Sequence, residues 1–276
     1  MPYDPISQDP PNIDREHPAK MMDVLFESHG AKLNGVMYMP QGGDRHPTIL
    51  LLHGFPGHEI NADLAQILRR AGYNVMIFHY RGAWGSEGEF SFSHVLEDVE
   101  TALNYLRTPE IAQNYHIDTD NIIVIGHSTG GWAALHMAGK GLVTRVASIA
   151  GVNKGVWGEM VADSEDAKRY SKAFFEESLP PLSGVTADAL VDEVEQNMDD
   201  FDTMRLATPL SQLDVLLVAA ERDDGVPVSL HHTPLVYMLE RKNAEHLTHI
   251  ILDTDHVFSD KRLTLARTLL NWLDSA

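Results

Sequence analysis

Residues 122–130 read IIVIGHSTG, an apolar run that passes directly into a Gly-x-Ser-x-Gly pattern. The apolar, mostly β-branched run predicts a buried strand, and the next residues, 131–138, favour a helix. A strand, a tight turn with a central serine and a helix are the local context of a nucleophile elbow, which lifts the serine hydroxyl above the sheet. The pattern therefore predicts Ser128 as a catalytic nucleophile.

The composition is typical of a globular protein of one large domain, or of one domain with an insertion. The chain has 276 residues, of which 43% are hydrophobic and 22% charged, and it contains no cysteine, which excludes disulfides and thiolate catalysis. No apolar stretch approaches the roughly 20 residues that a membrane span needs. Residues 1–20 lack the apolar core of a secretory signal, so the expected location is the cytoplasm.

The formal net charge is −19, from 21 basic and 40 acidic residues. Nucleic acids and anionic membranes both require positive charge from a partner, so neither is an expected partner. The acidic excess either repels anionic substrates or serves only solubility.

Strands and helices alternate along most of the chain, which predicts an α/β fold: a mostly parallel sheet covered by helices on both faces, with two antiparallel opening strands. Strands are predicted at residues 22–28, 32–39, 48–52, 75–78, 121–125, 143–150, 215–219 and 247–252. Helices are predicted at residues 61–71, 93–106, 131–138, 235–242 and 261–273.

Residues 152–210 interrupt this alternation with two predicted helices, at 164–179 and 186–201. We therefore expect an N-terminal extension at 1–21, a core formed by 22–151 and 211–276, and a helical insertion at 152–210. An insertion at this point lies over the carboxyl ends of the strands, where it forms either a lid or a solvated decoration.

A serine nucleophile needs a base, and the base needs an acid that orients it. In this architecture the acid and then the histidine follow later strands. His256 follows the last predicted strand and precedes the closing helix, so it is the expected base. Asp223 and Asp224 both follow the strand at 215–219, and the Asp-x-x-Val-Pro spacing favours Asp223.

Two backbone N–H groups are expected to form the oxyanion hole. One belongs to Thr129, the residue after the nucleophile. The other is expected in the loop HGFPG at residues 53–57, where Phe55 has an N–H group to donate and Pro56 has none.

Four motifs of the chain, in this order, resemble those of the α/β-hydrolase superfamily. They are HGFPG at 53–57, GHSTG at 126–130, Asp223 before Val-Pro, and Asp255-His256. Residues 80–88, YRGAWGSEG, resemble a loop of esterases and of prolyl-oligopeptidase-like hydrolases. The resemblance implies a carboxylesterase-like serine hydrolase that cleaves small-molecule esters of small to medium acyl groups. A peptidase or acylaminoacyl hydrolase with the same triad is the alternative, and a non-catalytic ligand-binding protein of this fold is the third.

Three aromatic residues, Tyr80, Trp84 and Trp157, either line a substrate pocket or pack in the protein interior. The histidine spacings do not match a metal site, and no phosphate-binding glycine motif is present. We therefore expect neither a metal nor a cofactor.

Overall fold

An eight-stranded sheet forms the centre of the protein, whose computed structural model describes residues 3–275. The strands are, in chain order, β1 (Lys20–Ser28), β2 (Ala31–Met39), β3 (His46–Leu52), β4 (Asn74–Phe78), β5 (Ile117–His127), β6 (Arg145–Ile149), β7 (Asp214–Ala220) and β8 (Leu247–Leu252). Their spatial order is β1-β2-β4-β3-β5-β6-β7-β8. The β1–β2 and β2–β4 pairs are antiparallel, and all the remaining pairs are parallel. This confirms the predicted mostly parallel sheet with antiparallel opening strands.

Helices follow most strands in the described chain. They are α1 (Ala62–Arg70), α2 (Phe92–Arg107), α3 (Pro109–Asn114), α4 (Thr129–Gly139), α5 (Lys154–Asp163), α6 (Glu165–Ser178), α7 (Ala187–Gln196), α8 (Ala207–Leu210), α9 (Val228–His231), α10 (Thr233–Arg241) and α11 (Arg262–Asp274), with a 3-10 turn at Thr203–Leu206. Within residues 3–275, none of these helices combines the length and apolar composition that crossing a membrane needs.

Helices cover both faces of the sheet, as predicted. Alternate residues of β3 enter different apolar clusters: Ile49 and Leu51 pack with side chains of α1 and α11, whereas Leu50 and Leu52 pack with side chains of α2 and α4. A strand that is apolar at consecutive positions can satisfy both faces only when each face is buried. Because β3, β5, β7 and β8 run parallel to one another, their carboxyl ends lie at the same edge of the sheet, where the loops that follow them meet.

The insertion between β6 and β7 begins with α5, a helix that the sequence did not predict. Two glycines lower the helix propensity of this segment, yet the packing requires them. A Cβ atom at Gly158 would lie 2.1 Å from the Val194 carbonyl oxygen of α7, and one at Gly155 would lie 2.5 Å from the Met198 carbonyl oxygen. The backbones of α5 and of the segment around α7 thus approach too closely for any larger residue.

Several predicted boundaries shift in the structure. Strand β1 begins at Lys20, inside the predicted N-terminal extension, because Lys20 pairs with Met39 of β2. Strand β5 begins at Ile117 rather than 121, since the amino end of β3 pairs with it across an irregular register. Helix α7 ends at Gln196 rather than 201, and the chain then turns to bury Phe201 against the Trp132 ring.

Candidate active site

Ser128 lies at the junction between β5 and α4 in a backbone conformation that residues other than glycine rarely adopt. Its φ is 55° and its ψ is −117°. Three backbone hydrogen bonds hold the junction. The Ser128 N–H donates to the Ile149 carbonyl at 2.8 Å, and the Ser128 carbonyl accepts the N–H groups of Trp132 at 3.0 Å and Val152 at 3.4 Å. Strain of this kind persists only where the surroundings enforce it, and it often marks a functional residue.

The two glycines of the Gly-x-Ser-x-Gly pattern are sterically required. A Cβ atom on Gly126 would lie 2.0 Å from the Gly130 carbonyl oxygen, and one on Gly130 would lie 2.4 Å from the Leu52 carbonyl oxygen of β3. No side chain fits at either distance, so the turn that presents Ser128 depends on both residues.

His256 and Asp223 form a hydrogen-bonded pair at the carboxyl edge of the sheet. The Nδ1–H group of His256 donates to Asp223 Oδ2 at 2.5 Å. The other carboxylate oxygen of Asp223 accepts the N–H groups of Gly225 at 3.0 Å and Val226 at 2.8 Å. Asp224, the alternative acid, is exposed to solvent.

These contacts favour an ionised Asp223. Burial by itself would raise the pKa of Asp223, but the hydrogen bond and charge of His256, together with the two N–H groups, bring the pKa below its usual value. A carboxylate at this position can orient the imidazole and stabilise its cation.

Ser128, Asp223 and His256 line one cavity, of about 710 Å³, although they come from three distant parts of the chain. In the described chain the Ser128 hydroxyl makes no hydrogen bond to the His256 ring. Hydrogen bonds between a nucleophile and its base are often long before substrate binds and tighten afterwards.

The loop at residues 53–57 lies directly against the serine. A Cβ atom on Gly54 would be 2.9 Å from the Ser128 Cβ atom. Phe55 and Thr129 line the same cavity as Ser128, and Thr129 is the first residue of α4, where backbone N–H groups have no partner within the helix. This arrangement fits the expected pair of oxyanion donors.

Of the three aromatic residues predicted to bind substrate, only Trp157 lines the cavity. Tyr80 is buried, and its hydroxyl donates to the His53 carbonyl at 2.8 Å. The indole N–H of Trp84 donates to the Pro56 carbonyl at 2.7 Å. Tyr80 and Trp84 therefore contact the loop at 53–57 and do not line the cavity, so of the two alternatives for these residues packing applies.

His127 has a role in the site geometry that the sequence analysis did not assign. Its Nε2–H group donates to the backbone carbonyl of His256 at 2.8 Å, and the two ring centroids are 4.8 Å apart. Burial lowers the pKa of His127 to about 3, so the ring is neutral. The residue before the nucleophile thus connects the elbow to the loop that carries the base.

No group of three or more histidine, aspartate or glutamate side chains with the geometry of a metal site occurs among residues 3–275.

The amino-acid sequence is similar to those of several known proteins. A profile of the alpha/beta hydrolase family matches residues 49–267. Acylamino-acid-releasing enzyme 2 of Oryza sativa subsp. japonica is 31% identical over 126 residues, covering 41% of this chain and 16% of that protein. The uncharacterized protein YfhR of Salmonella typhi is 25% identical over 271 residues, covering 94% of this chain and 83% of YfhR. The chain spans less than half the length of the first curated relatives it matches.

Solved structures with the same fold include esterases and peptidases. Est1E from Butyrivibrio proteoclasticus, solved with ferulic acid bound, has a TM-score of 0.69 and 16% identity, covering 91% of this chain and 97% of Est1E. The Pyrococcus horikoshii acylaminoacyl peptidase has a TM-score of 0.67 and 16% identity, covering 93% of this chain and 41% of the peptidase. Because the family profile matches most of the chain and these structures share its fold, the chain belongs to the alpha/beta hydrolase family.

Proposed function

We infer that the protein is a serine hydrolase that cleaves carboxylic esters of small to medium acyl groups. The observation that carries this inference is the convergence of Ser128, in its strained elbow, with the hydrogen-bonded pair of Asp223 and His256 at one cavity. The strained elbow and the pairing of Asp223 with His256 support these roles in acyl transfer.

In the proposed reaction, His256 takes the proton of the Ser128 hydroxyl as the serine oxygen bonds to the ester carbonyl carbon. The N–H groups of Phe55 and Thr129 stabilise the resulting oxyanion. The carbon–oxygen bond to the alcohol then breaks, and His256 returns its proton to the departing alkoxide. A water molecule, deprotonated by His256, then attacks the acyl carbon. The bond between that carbon and the Ser128 oxygen breaks, His256 returns the proton to the serine oxygen, and the carboxylic acid leaves. Asp223 stabilises the histidine cation in both steps.

The test is a comparison of Ser128→Ala with the parent protein. The variant should fold normally and lose hydrolysis of p-nitrophenyl acetate by on the order of 10³-fold or more. Ser183→Ala is the matched control, because Ser183 is exposed and lies outside the cavity lining. A fluorophosphonate probe should label the parent and the control but not Ser128→Ala. Equal hydrolysis by parent and Ser128→Ala would disprove the assignment.

A second candidate is hydrolysis of acylaminoacyl or peptide bonds with the same residues. The likeness to the rice acylamino-acid-releasing enzyme and to the Pyrococcus peptidase favours it. Rates on simple esters, compared with rates on N-acetylated amino-acid p-nitroanilides, separate the two activities. The third candidate, ligand binding without turnover, predicts that the fluorophosphonate probe labels nothing.

A further inference from the structure

The cavity beside Ser128 is much larger than a small acyl group needs. Its volume is about 710 Å³, which is within the range of roughly 300–1,000 Å³ typical of sites for drug-sized ligands. An acetyl group would fill only a small part of it. The remaining space must suit another part of the substrate.

One wall of the cavity is a single face of α6. Five residues of this helix line the cavity at spacings that place them on one side, and they are Asp166, Ala167, Tyr170, Ser171 and Phe174. Tyr170 is 73% exposed and Phe174 is 38% exposed. Large aromatic side chains left open to solvent beside a cavity are typical of a surface that a ligand covers.

The adjoining walls are also apolar, and one of them is rigid. Trp157 of α5 donates its indole N–H to the Ser171 hydroxyl at 2.8 Å and stacks on the Phe175 ring at 5.0 Å. Met160 of α5 and Leu230 of α9 complete this surface, both partly exposed. Flat, fixed aromatic surfaces pair well with aromatic or other flat apolar groups.

The charged residues of the lining favour some substrates over others. Asp224 and Asp255 line the cavity and have no ion-pair partner in the described chain. Arg222, the cation of the lining, pairs with Asp253 at 2.7 Å and Asp260 at 2.8 Å. An anionic substrate would therefore meet uncompensated carboxylates, whereas a neutral or cationic one would not.

We propose that the substrates are esters with a bulky aromatic or comparably flat apolar group, neutral or cationic but not anionic, which binds against Tyr170, Phe174 and Trp157 while the ester carbonyl reaches Ser128. This inference rests on the proposed esterase function and names its substrate class. The inserted helices supply the recognition surface, and the sheet loops supply the reacting groups.

The first experiment uses esters without an aromatic leaving group and measures acid release in a pH-stat. Ethyl acetate has no aromatic group, ethyl hydrocinnamate has one on the acyl side, and phenylpropyl acetate has one on the alcohol side. At least one aromatic ester should exceed ethyl acetate in kcat/KM by about tenfold or more, the gain expected from burying a phenyl group. The aromatic ester that shows the gain identifies the side that meets α6.

Variants then test the wall itself. Phe174→Ala and Tyr170→Ala should each lower the ratio of kcat/KM for the preferred aromatic ester over ethyl acetate by about fivefold. Tyr237→Ala is the matched control, since Tyr237 is an exposed tyrosine of α10 outside the cavity lining. Its ratio should equal that of the parent.

Charged analogues test the carboxylates. A para-carboxy group on the preferred substrate should lower kcat/KM about tenfold at low salt, whereas a para-trimethylammonio group should not lower it. Asp224→Asn and added salt should each reduce the penalty on the carboxy analogue.

Two results would overturn this inference and leave the esterase function intact. One is hydrolysis of ethyl acetate at a rate equal to that of both aromatic esters. The other is a ratio of kcat/KM for the aromatic ester over ethyl acetate that neither Phe174→Ala nor Tyr170→Ala changes. No hydrolysis of any ester and no fluorophosphonate labelling would overturn the esterase function, and this inference with it.

Discussion

Gly54→Ala tests whether the loop at 53–57 contributes to catalysis through its distance from the serine. The new Cβ atom would lie 2.9 Å from the Ser128 Cβ atom, whereas ordinary contacts begin at 3.4 Å. The loop must therefore retreat by about half an ångström or more. Gly54 does not have a positive φ, so the backbone itself tolerates alanine.

This retreat should remove one oxyanion donor. Donors act at about 2.7–3.1 Å from the oxyanion, and loss of one costs roughly 2.7–4 kcal/mol, or about 10²–10³ in kcat. We expect a decrease of this size in kcat for p-nitrophenyl acetate, with fluorophosphonate labelling slowed in parallel because the probe uses the same donors.

The control separates catalysis from stability. Gly72→Ala introduces a methyl group into open space but at a φ of +95°, so it should destabilise the fold by about 1–2 kcal/mol and leave kcat unchanged. Thermal unfolding of both variants shows whether they are comparably folded. A folded Gly54→Ala variant with kcat within threefold of the parent would refute the reasoning.

Three further predictions concern polar side chains, most of them buried. Asp98→Ala should lower the free energy of unfolding by about 3 kcal/mol, because it removes the buried carboxylate that lies 2.6 Å from the buried guanidinium of Arg81. Glu97→Ala, which removes the more exposed partner of Arg81, should lower it by less than about 1 kcal/mol. Equal urea midpoints for the two variants would contradict this. His127→Phe should lower kcat about tenfold by removing the hydrogen bond to the His256 carbonyl, whereas His127→Gln, which can donate, should lower it less; identical kcat values for the two variants would rule out the hydrogen bond as the cause. The free energy of unfolding should fall as the pH decreases from 6.5 towards 4, because burial lowers the pKa of several histidines in the folded protein while the unfolded chain binds protons near pH ~6.5. Equal urea midpoints at pH 7 and pH 5 would be inconsistent with this.

The sign of the pH dependence follows from proton uptake. Between the folded and unfolded pKa values only the unfolded chain is protonated, so each histidine contributes stability that is complete above pH ~6.5 and declines by up to about 1.4 kcal/mol per pH unit below it. Burial lowers the pKa to about 3 for two of them and to about 4 for three, and these are His53 and His127, then His136, His231 and His232.

The sheet and its two helical layers could be predicted because their signal is local. The apolar run before Gly126 and the alternation of strands and helices depend only on neighbouring residues, and that alternation predicted the mostly parallel sheet that the structure has. The catalytic roles of Ser128, Asp223 and His256 stay predictions, based on where each residue falls relative to a strand end.

What the sequence did not provide depends on contacts between distant segments. Helix α5 was not predicted because Gly155 and Gly158 weaken its local pattern, although the close approach of α7 and of the residues after it requires both glycines. Tyr80 and Trp84 were candidates for the pocket because they are aromatic, but their polar atoms bond to carbonyls of the 53–57 loop. A single sequence carries no signal for the direction in which such a side chain points.

The separation of the cavity wall from the reacting groups has a consequence for how relatives of this protein diverge. Tyr170 and Phe174 belong to a helix inserted between β6 and β7, whereas Ser128 and His256 follow strands of the sheet. Relatives that share an ancestor can therefore acquire different substrate specificities by substitutions in the inserted helix, while the residues that transfer protons stay the same. Paralogues should therefore differ most at positions 157, 170 and 174.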